Sequence, residues 1–286
     1  MDIQVFDDVH CVLGECPIWI QEKLFWVDIK SSKIFQKGLQ DAKASFWMYE
    51  DRPSALGLIA GMEDKIIVAF EKGIYHVDCI SGERILIKEL NGRPKNRSND
   101  GAIGPDGAFW LGTMDDDERE QTGELLCFDG QNLIVHKRDI GVSNTFVWSP
   151  DGRFFYFADS QKQVIWRFSF DADGCLSDQQ EFVSLKGTNI YPDGSAIDIE
   201  GYLWNAQWDG GRIVRYSPTG SVDKIIQLPV SRPTCCAFGG INRDILFVTS
   251  ASIGVSIQDE PLAGRTLMIT NVGVGISEYQ FSGYKR

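Results

Sequence analysis

The chain has 286 residues, of which 43% are hydrophobic and 24% charged, with 29 Gly and 10 Pro. This composition is ordinary for a folded globular protein and excludes long disordered, collagen-like and coiled-coil chains. The 28 Lys and Arg against 40 Asp and Glu give a formal net charge of −12, which repels nucleic-acid phosphates and anionic membranes. We therefore expect neither a nucleic-acid nor a membrane partner.

The first residues, MDIQVFDDVHC, have neither the basic start nor the apolar stretch of an export signal, so the expected compartment is the cytoplasm. Seven cysteines, an odd number with no C-x-x-C pair, predict buried thiols rather than disulfides or a zinc site. No apolar run approaches the roughly 18 residues that a membrane-spanning helix needs.

A repeat of short aromatic and β-branched runs fills the chain. Equivalent points in these runs are Trp26, Val68, Trp110, Tyr156, Trp204 and Phe247. Their spacings of 42, 42, 46, 48 and 43 residues are typical of a four-stranded propeller blade. Turn signals such as Pro105-Asp106-Gly107 precede the runs, and another strand-like run follows about ten residues after them.

These features predict an all-β chain that forms a six-bladed β-propeller, with residues 1–286 as one domain. Helical periodicity is missing, which argues against a TIM barrel. We expect the first strand, near Gln4 to Phe6, to pair into the last blade, because this pairing removes an open sheet edge.

The chain lacks the motifs of several enzyme classes: there is no H-E-x-x-H, no G-x-S-x-G, no P-loop and no G-x-G-x-x-G after a strand. Four oxygen-bearing residues instead recur 11 or 12 residues before the aromatic run of their blade: Glu15, Asn99, Asn144 and Asp193. Equivalent offsets place them at one end of the central channel, where such oxygens suit Ca²⁺, Mg²⁺ or Mn²⁺. The alternative is that they only form turns.

Longer motifs around these positions run through nearly the whole chain. They are Gly14-Glu15-Cys16-Pro17-Ile18-Trp19, Arg97-x-Asn99-Asp100-Gly101, Gly112-Thr113-Met114, Asn144 before Trp148-Ser149-Pro150-Asp151-Gly152, Pro192-Asp193-Gly194 and Cys235-Cys236-Ala237-Phe238-Gly239-Gly240. Together they resemble the senescence marker protein 30 (regucalcin)/gluconolactonase family of sugar lactonases.

This resemblance implies a propeller that hydrolyses a sugar (aldono)lactone to the sugar acid, with one divalent metal ion (Ca, Zn, Mn, Mg or Fe) in the central channel. The implied metal ligands are Glu15, Asn144 and Asp193. It further implies Asp193 as general base, and Arg97, Asn99, Asp100 and Asp117 as the residues that contact substrate. Asp117 belongs to an acidic loop expected to form a lid beside the site.

Two residues depart from the family pattern. Thr145 stands where Gly usually follows the Asn ligand, and Cys16 stands where Gly or Ser usually follows the Glu ligand. If the backbone has φ > 0 after Asn144, a Thr resists that conformation.

Two other functions stay open: a phosphotriesterase or aryl-ester hydrolase, and a non-catalytic, calcium-binding regulatory propeller. The expected partner is a small-molecule sugar lactone, acted on by a monomer or weak homo-oligomer.

Overall fold

The computed structural model describes residues 1–90 and 92–283. These residues form six sheets: five antiparallel sheets of four strands, and one in which a fifth strand is added in parallel. They contain no helix, and therefore no helix that could cross a membrane. The all-β prediction is confirmed.

The strands follow one another blade by blade. The first strand is β1 (Asp2–Asp7). Blade 1 contains β2 (Gly14–Ile20), β3 (Lys23–Asp28), β4 (Lys33–Gly38) and β5 (Ser45–Met48). Blade 2 contains β6 (Pro53–Ile59), β7 (Lys65–Phe70), β8 (Gly73–Asp78) and β9 (Arg84–Glu89). Blade 3 contains β10 (Asn96–Ile103), β11 (Phe109–Asp115), β12 (Gly123–Phe128) and β13 (Leu133–Ile140).

The second half of the chain repeats this order. Blade 4 contains β14 (Ser143–Trp148), β15 (Phe154–Asp159), β16 (Val164–Phe170) and β17 (Leu176–Ser184). Blade 5 contains β18 (Tyr191–Ile197), β19 (Leu203–Trp208), β20 (Arg212–Tyr216) and β21 (Val222–Gln227). Blade 6 contains β22 (Pro233–Gly239), β23 (Ile245–Ser250) and β24 (Thr266–Thr270). A short last strand is β25 (Gln280–Phe281).

The inner strands of the six blades contact their neighbours in a closed ring, in the order β2, β6, β10, β14, β18, β22 and back to β2. This arrangement is the predicted six-bladed propeller. Blade 6 is completed by β1, which pairs antiparallel with β24, for example Ile3 with Ile269. The first strand therefore pairs into the last blade, as the sequence predicts. Lys37 of blade 1 secures β1, since its Nζ lies 3.1 Å from Asp7 Oδ2.

The six repeat residues lie in the second strand of each blade, and each is at most 2% exposed. Large side chains from neighbouring blades pack against them. Trp110 of blade 3, for example, contacts Trp148 and Phe155 of blade 4, with ring centroids 6.2 Å and 5.6 Å away. The core therefore lies between the blades, and the repeat marks it because a propeller buries both faces of each sheet.

The C-terminal segment was not predicted from the sequence. β25 pairs in parallel with the end of β6, and Gly275 forms an isolated bridge to Asp198. Residues Ile276 to Tyr279 between these pairings line a small cavity of about 100 Å³ together with inner-strand residues such as Leu56. The segment therefore closes one end of the channel.

All seven cysteines are free thiols. The expectation that all of them are buried is wrong for two: Cys175 is exposed and Cys79 is partly buried. Cys79 directly follows β8 and lies in a tight turn, and Cys175 lies between a turn and the start of β17; side chains in such connections often face solvent. The adjacent Cys235 and Cys236 are buried within β22.

Candidate active site

The four oxygen-bearing residues lie on four different inner strands: Glu15 on β2, Asn99 on β10, Asn144 on β14 and Asp193 on β18. In each of these strands the pairing register with the second strand shifts at or next to the residue. A bulge of this kind bends the strand and turns a side chain out of the regular alternation. The repeated bulge explains why the same offset recurs in the sequence.

One cavity of about 450 Å³ brings these residues together. It is lined by Glu15, Asn99, Asn144 and Asp193, and Arg97 joins them from β10. The site therefore combines two carboxylates, two carboxamides and one guanidinium from blades 1, 3, 4 and 5. All five side chains are at most 6% exposed.

A hydrogen-bond chain fixes the orientation of the Asn144 amide. Its Nδ2 donates to Ser160 Oγ over 2.9 Å, and Ser160 Oγ donates to the backbone oxygen of Pro192 over 2.6 Å. The Asn144 Oδ1 accepts from Asn99 Nδ2 at 3.2 Å. Because the nitrogen is held by Ser160, the oxygen is the atom that Asn144 presents beside Asn99.

Three buried carboxyl groups, Glu15, Asp100 and Asp193, lie close enough to perturb one another. Burial and the charge of Asp100 raise the pKa of Glu15 to about 8. Burial, followed by the charges of Glu15 and Asp100, raises the pKa of Asp193 well above its ordinary value. Two bare carboxylates placed this close repel each other unless a proton or a cation lies between them.

The donor set fits a hard divalent cation. Carboxylate and amide oxygens are its preferred ligands, and a cation would relieve the repulsion between Glu15 and Asp193. Among residues 1–90 and 92–283 no three His, Cys, Asp or Glu side chains are arranged as a metal site. A metal centre here therefore depends on the amide oxygen of Asn144 beside the two carboxylates.

Asp100 faces another space than Asn99, its neighbour in sequence. It lines the small cavity of about 100 Å³ on the side closed by the C-terminal segment, and not the large one. Burial raises its pKa to about 7, although hydrogen bonds from the backbone of Gly101, Thr145 and Phe146 oppose that rise. Its position supports a role through the electrostatics of Glu15 and Asp193.

Arg97 is held by the acidic loop that follows β11. Its Nε donates to Asp116 Oδ1 over 2.8 Å, and its Nη1 donates to Asn99 Oδ1 over 2.7 Å. Asp116 also accepts hydrogen bonds from Lys30 and Arg52, so residues from blades 1, 2 and 3 meet at one carboxylate. Burial alone would raise the pKa of Asp116, but these cations lower it far below its ordinary value.

Asp117, the predicted substrate contact of this loop, is exposed and does not line the large cavity. Its neighbour Glu118 does line the cavity. A role for Asp117 stays a prediction, whereas the contact between the loop and Arg97 is made by Asp116.

Several lining residues were missed by the sequence analysis, among them Lys30, Ser160, Trp208 and Arg232. Three of them directly follow or end the second strand of a blade. In an antiparallel hairpin the end of the second strand lies beside the start of the first, as Ser143 pairs with Asp159. The repeat in the sequence therefore could have indicated these residues, because it marks where each second strand ends at this end of the channel.

The two departures from the family pattern both have left-handed backbone angles. φ is 44° at Cys16 and 58° at Thr145, and both side chains are buried. Thr145 Oγ1 donates to the backbone oxygen of Asp193 over 2.6 Å, and Cys16 Sγ accepts from the backbone nitrogen of Leu56 at 3.1 Å. The Thr145 hydrogen bond therefore connects β14, which holds the proposed metal ligand Asn144, to the backbone of the proposed ligand Asp193.

Fold and site together define a six-bladed propeller with an oxygen-rich, buried centre at one end of its channel. Residues 13–252 match the family model described as "SMP-30/Gluconolactonase/LRE-like region". The chain belongs to this family.

Three relatives show how far the similarity extends. A 6-deoxy-6-sulfogluconolactonase from Pseudomonas putida is 36% identical, over 95% of this chain and 96% of the relative. An L-arabinolactonase from Azospirillum brasilense is 30% identical, over 98% and 95%. The crystal structure of a calcium-binding protein, regucalcin, from Agrobacterium tumefaciens has a TM-score of 0.90 at 29% identity, covering 99% of this chain and 97% of that one.

Proposed function

We propose that this protein hydrolyses a sugar lactone to its sugar acid with a divalent cation held by Glu15, Asn144 and Asp193. The observation that carries the proposal is the convergence of these three oxygen donors in one cavity of about 450 Å³, with two carboxyls buried against each other. Two relatives that align over nearly the whole chain are named as lactonases, which supports the reaction class.

A cation bound there would supply electrophilic assistance, because it polarises a carbonyl oxygen and acidifies a water molecule. Asp193 acts as the general base in this proposal. It takes a proton from the water whose oxygen forms the new bond to the lactone carbon. When the ring C–O bond breaks, the same proton passes to the ring oxygen, which leaves as a hydroxyl group.

Arg97 and Asn99 hold the sugar. The Arg97 guanidinium is fixed through Asp116 and Asn99, and it is 3% exposed, so it offers donors in a fixed geometry. Positioning of the ring by such groups makes the attack effectively unimolecular. Asp100, behind the site, raises the basicity of Asp193 by its negative charge.

Polar groups on the cavity wall favour a hydroxyl-bearing substrate over the apolar phosphotriester or aryl ester of the rival proposal. Arg97, Asn99, Gln161 and Tyr191 all line the cavity. Turnover of a lactone would exclude the alternative of a non-catalytic, calcium-binding regulatory propeller.

The test is a pH-indicator assay with a panel of five- and six-membered aldonolactones, on protein stripped with a chelator and on protein with single metals restored. We expect acid release from at least one lactone. This activity should be lost when the metal is stripped and should return when metal is restored.

Glu15→Gln should weaken metal binding and regain activity at high metal concentration. Full activity in protein shown by elemental analysis to be metal-free would overturn the mechanism, and binding of metal without turnover would support the regulatory alternative.

The cytoplasm stays the proposed compartment. All seven cysteines are free thiols, including the exposed Cys175, and this suits a reducing environment.

A further inference from the structure

Two cationic side chains line the active-site cavity and have no part in the mechanism proposed above. Lys30 follows β3 in blade 1, and Arg232 precedes β22 in blade 6. Blades 1 and 6 are neighbours in the ring, because β2 contacts β22. Their side chains are 26% and 24% exposed, so both stand at the open side of the cavity.

Arg232 is braced on three sides. Its Nε donates to Asp209 Oδ1 over 2.7 Å, its Nη1 donates to the backbone oxygen of Ile253, and its guanidinium carbon lies 4.9 Å from the ring centroid of Trp208. Within residues 1–90 and 92–283, Nη2 has no hydrogen-bond partner. The guanidinium is thus held in place with one nitrogen left for a ligand.

Lys30 is only partly neutralised. Its Nζ lies 2.9 Å from Asp116 Oδ1, and that carboxylate is shared with Arg52 and Arg97. Arg52 also pairs with Glu71, so two carboxylates are shared among three cations, which leaves one positive charge within this group of five side chains. Asp116 itself does not line the cavity, but Glu118 of the same loop does; its carboxylate is exposed, and solvent weakens its attraction to these cations without removing it.

The placement of these cations contrasts with the chain as a whole, which has a formal net charge of −12. In the proposed function the bound cation offsets Glu15 and Asp193, so Lys30, Arg97 and Arg232 set the charge that a substrate meets. Lysine and arginine side chains are charged donors, and their hydrogen bonds to an oxyanion are stronger than those to a neutral hydroxyl.

We infer that the preferred lactone carries an anionic substituent away from its carbonyl, and that Lys30 and Arg232 bind this group. Its shared chemistry is a carboxylate, sulfonate or phosphate ester, each with several acceptor oxygens. The inference rests on the proposed function, because it assumes that the lactone occupies this cavity.

The test compares kcat/KM for glucono-1,5-lactone with kcat/KM for the same ring bearing a carboxylate, a sulfonate or a phosphate at C6. The variants are Lys30→Gln and Arg232→Gln. The matched control is Arg265→Gln: this arginine is also in blade 6, is 25% exposed and pairs with Asp8, but does not line the cavity.

We expect the wild-type protein to favour at least one charged lactone over the neutral one, and this preference to shrink as salt is raised. Each cavity variant should lower kcat/KM for that substrate by about tenfold to a hundredfold while changing the neutral lactone less than about threefold. Arg265→Gln should match the wild type on both. Which charged group is favoured distinguishes the three substituents.

Equal losses on neutral and charged lactones, or a wild-type preference for the neutral one, would overturn the inference and leave the lactonase proposal intact. If no lactone is hydrolysed, the proposed function fails, and calorimetry on the metal-loaded protein decides the inference with two probes, gluconate and the dianion glucarate. Tighter glucarate binding that Arg232→Gln abolishes supports the inference, whereas equal binding overturns it.

Discussion

The Nε atom of Arg97 donates a 2.8 Å hydrogen bond to Oδ1 of Asp116, a residue that lies next to the predicted substrate contact Asp117. Asp116 joins β11 to side chains of three blades, whereas Asp117 is exposed to solvent. Asp116 therefore positions Arg97, whereas contact of Asp117 with substrate stays a prediction.

Asp116→Asn should raise KM for the lactone by about tenfold, because Arg97, Lys30 and Arg52 lose their shared anion and Arg97 is no longer fixed. We expect kcat and metal affinity to change little, since the metal ligands are on other strands. Steady-state kinetics and a metal titration measure these effects. The control is Asp117→Asn, which should stay within about twofold of the wild type; a larger effect there than at Asp116 would restore Asp117 as the contact.

The buried carboxyl groups predict how the metal-free protein responds to pH. Burial raises the pKa of Glu15 to about 8 and of Asp100 to about 7, and that of Asp193 also rises. Between the unfolded values near 4 and these folded values, the native state holds more protons than the unfolded state. Stability of the metal-free protein should therefore fall as pH rises from 5 to 8.

Metal reverses this trend, because it binds the deprotonated form and expels protons. The melting temperature of stripped protein should drop from pH 5 to pH 8, and added metal should raise it more at pH 8 than at pH 5. Glu15→Gln, which removes one of the titrating groups, should flatten the pH dependence of the stripped protein. A slope unchanged in this variant would show that Glu15 is not one of the groups responsible.

Sequence reasoning reached the fold because the propeller repeats its own burial pattern. Trp26, Trp110 and Trp204 are each fully buried in the second strand of their blade, so the spacing of large side chains revealed the architecture. The bulge that turns Glu15 and Asn144 toward the channel also recurs, which made the offset visible. Features that repeat in every blade can be read from one chain.

Features that occur once could not be read in this way. The pairing of β25 with β6 joins two strands far apart in sequence and has no counterpart in the described part of the other blades. Similarly, Asp116 and Arg232 lie in loops whose lengths differ between blades, so no spacing marks them. Asp116 and Asp117 are identical side chains in sequence, and only the three-dimensional course of the loop decides which one meets Arg97.

Thr145 provides a test of backbone strain beside the proposed metal ligand Asn144. With φ at 58°, any side chain with a Cβ costs about 1 kcal/mol relative to Gly. Thr145 is retained at this angle by its hydrogen bond to the Asp193 backbone oxygen. We therefore expect Thr145→Gly to unfold at a higher temperature than Thr145→Ala, since both lose the hydroxyl but only Ala keeps the strain.

That order is the reverse of the usual one, in which Gly destabilises a strand more than Ala. The control is the same pair of substitutions at Val147, a buried residue of the same strand without positive φ. There Ala should be the more stable of the two. If Thr145→Ala proved more stable than Thr145→Gly, strain at this position would not be a factor in the stability of the site.

Asp193→Asn tests whether this residue is a base as well as a ligand. The substitution keeps an oxygen donor but removes basicity, so metal should refill the site at high concentration without restoring turnover. The expected loss in kcat is about 10²–10⁴, the contribution of a positioned acid–base group.

Glu15→Gln is the matched control, because it also removes one charge from the metal ligands but leaves Asp193 in place. It should recover most of its activity at saturating metal. Metal occupancy and kcat must be measured on the same sample. Near-full activity of Asp193→Asn at full occupancy would remove Asp193 as the base.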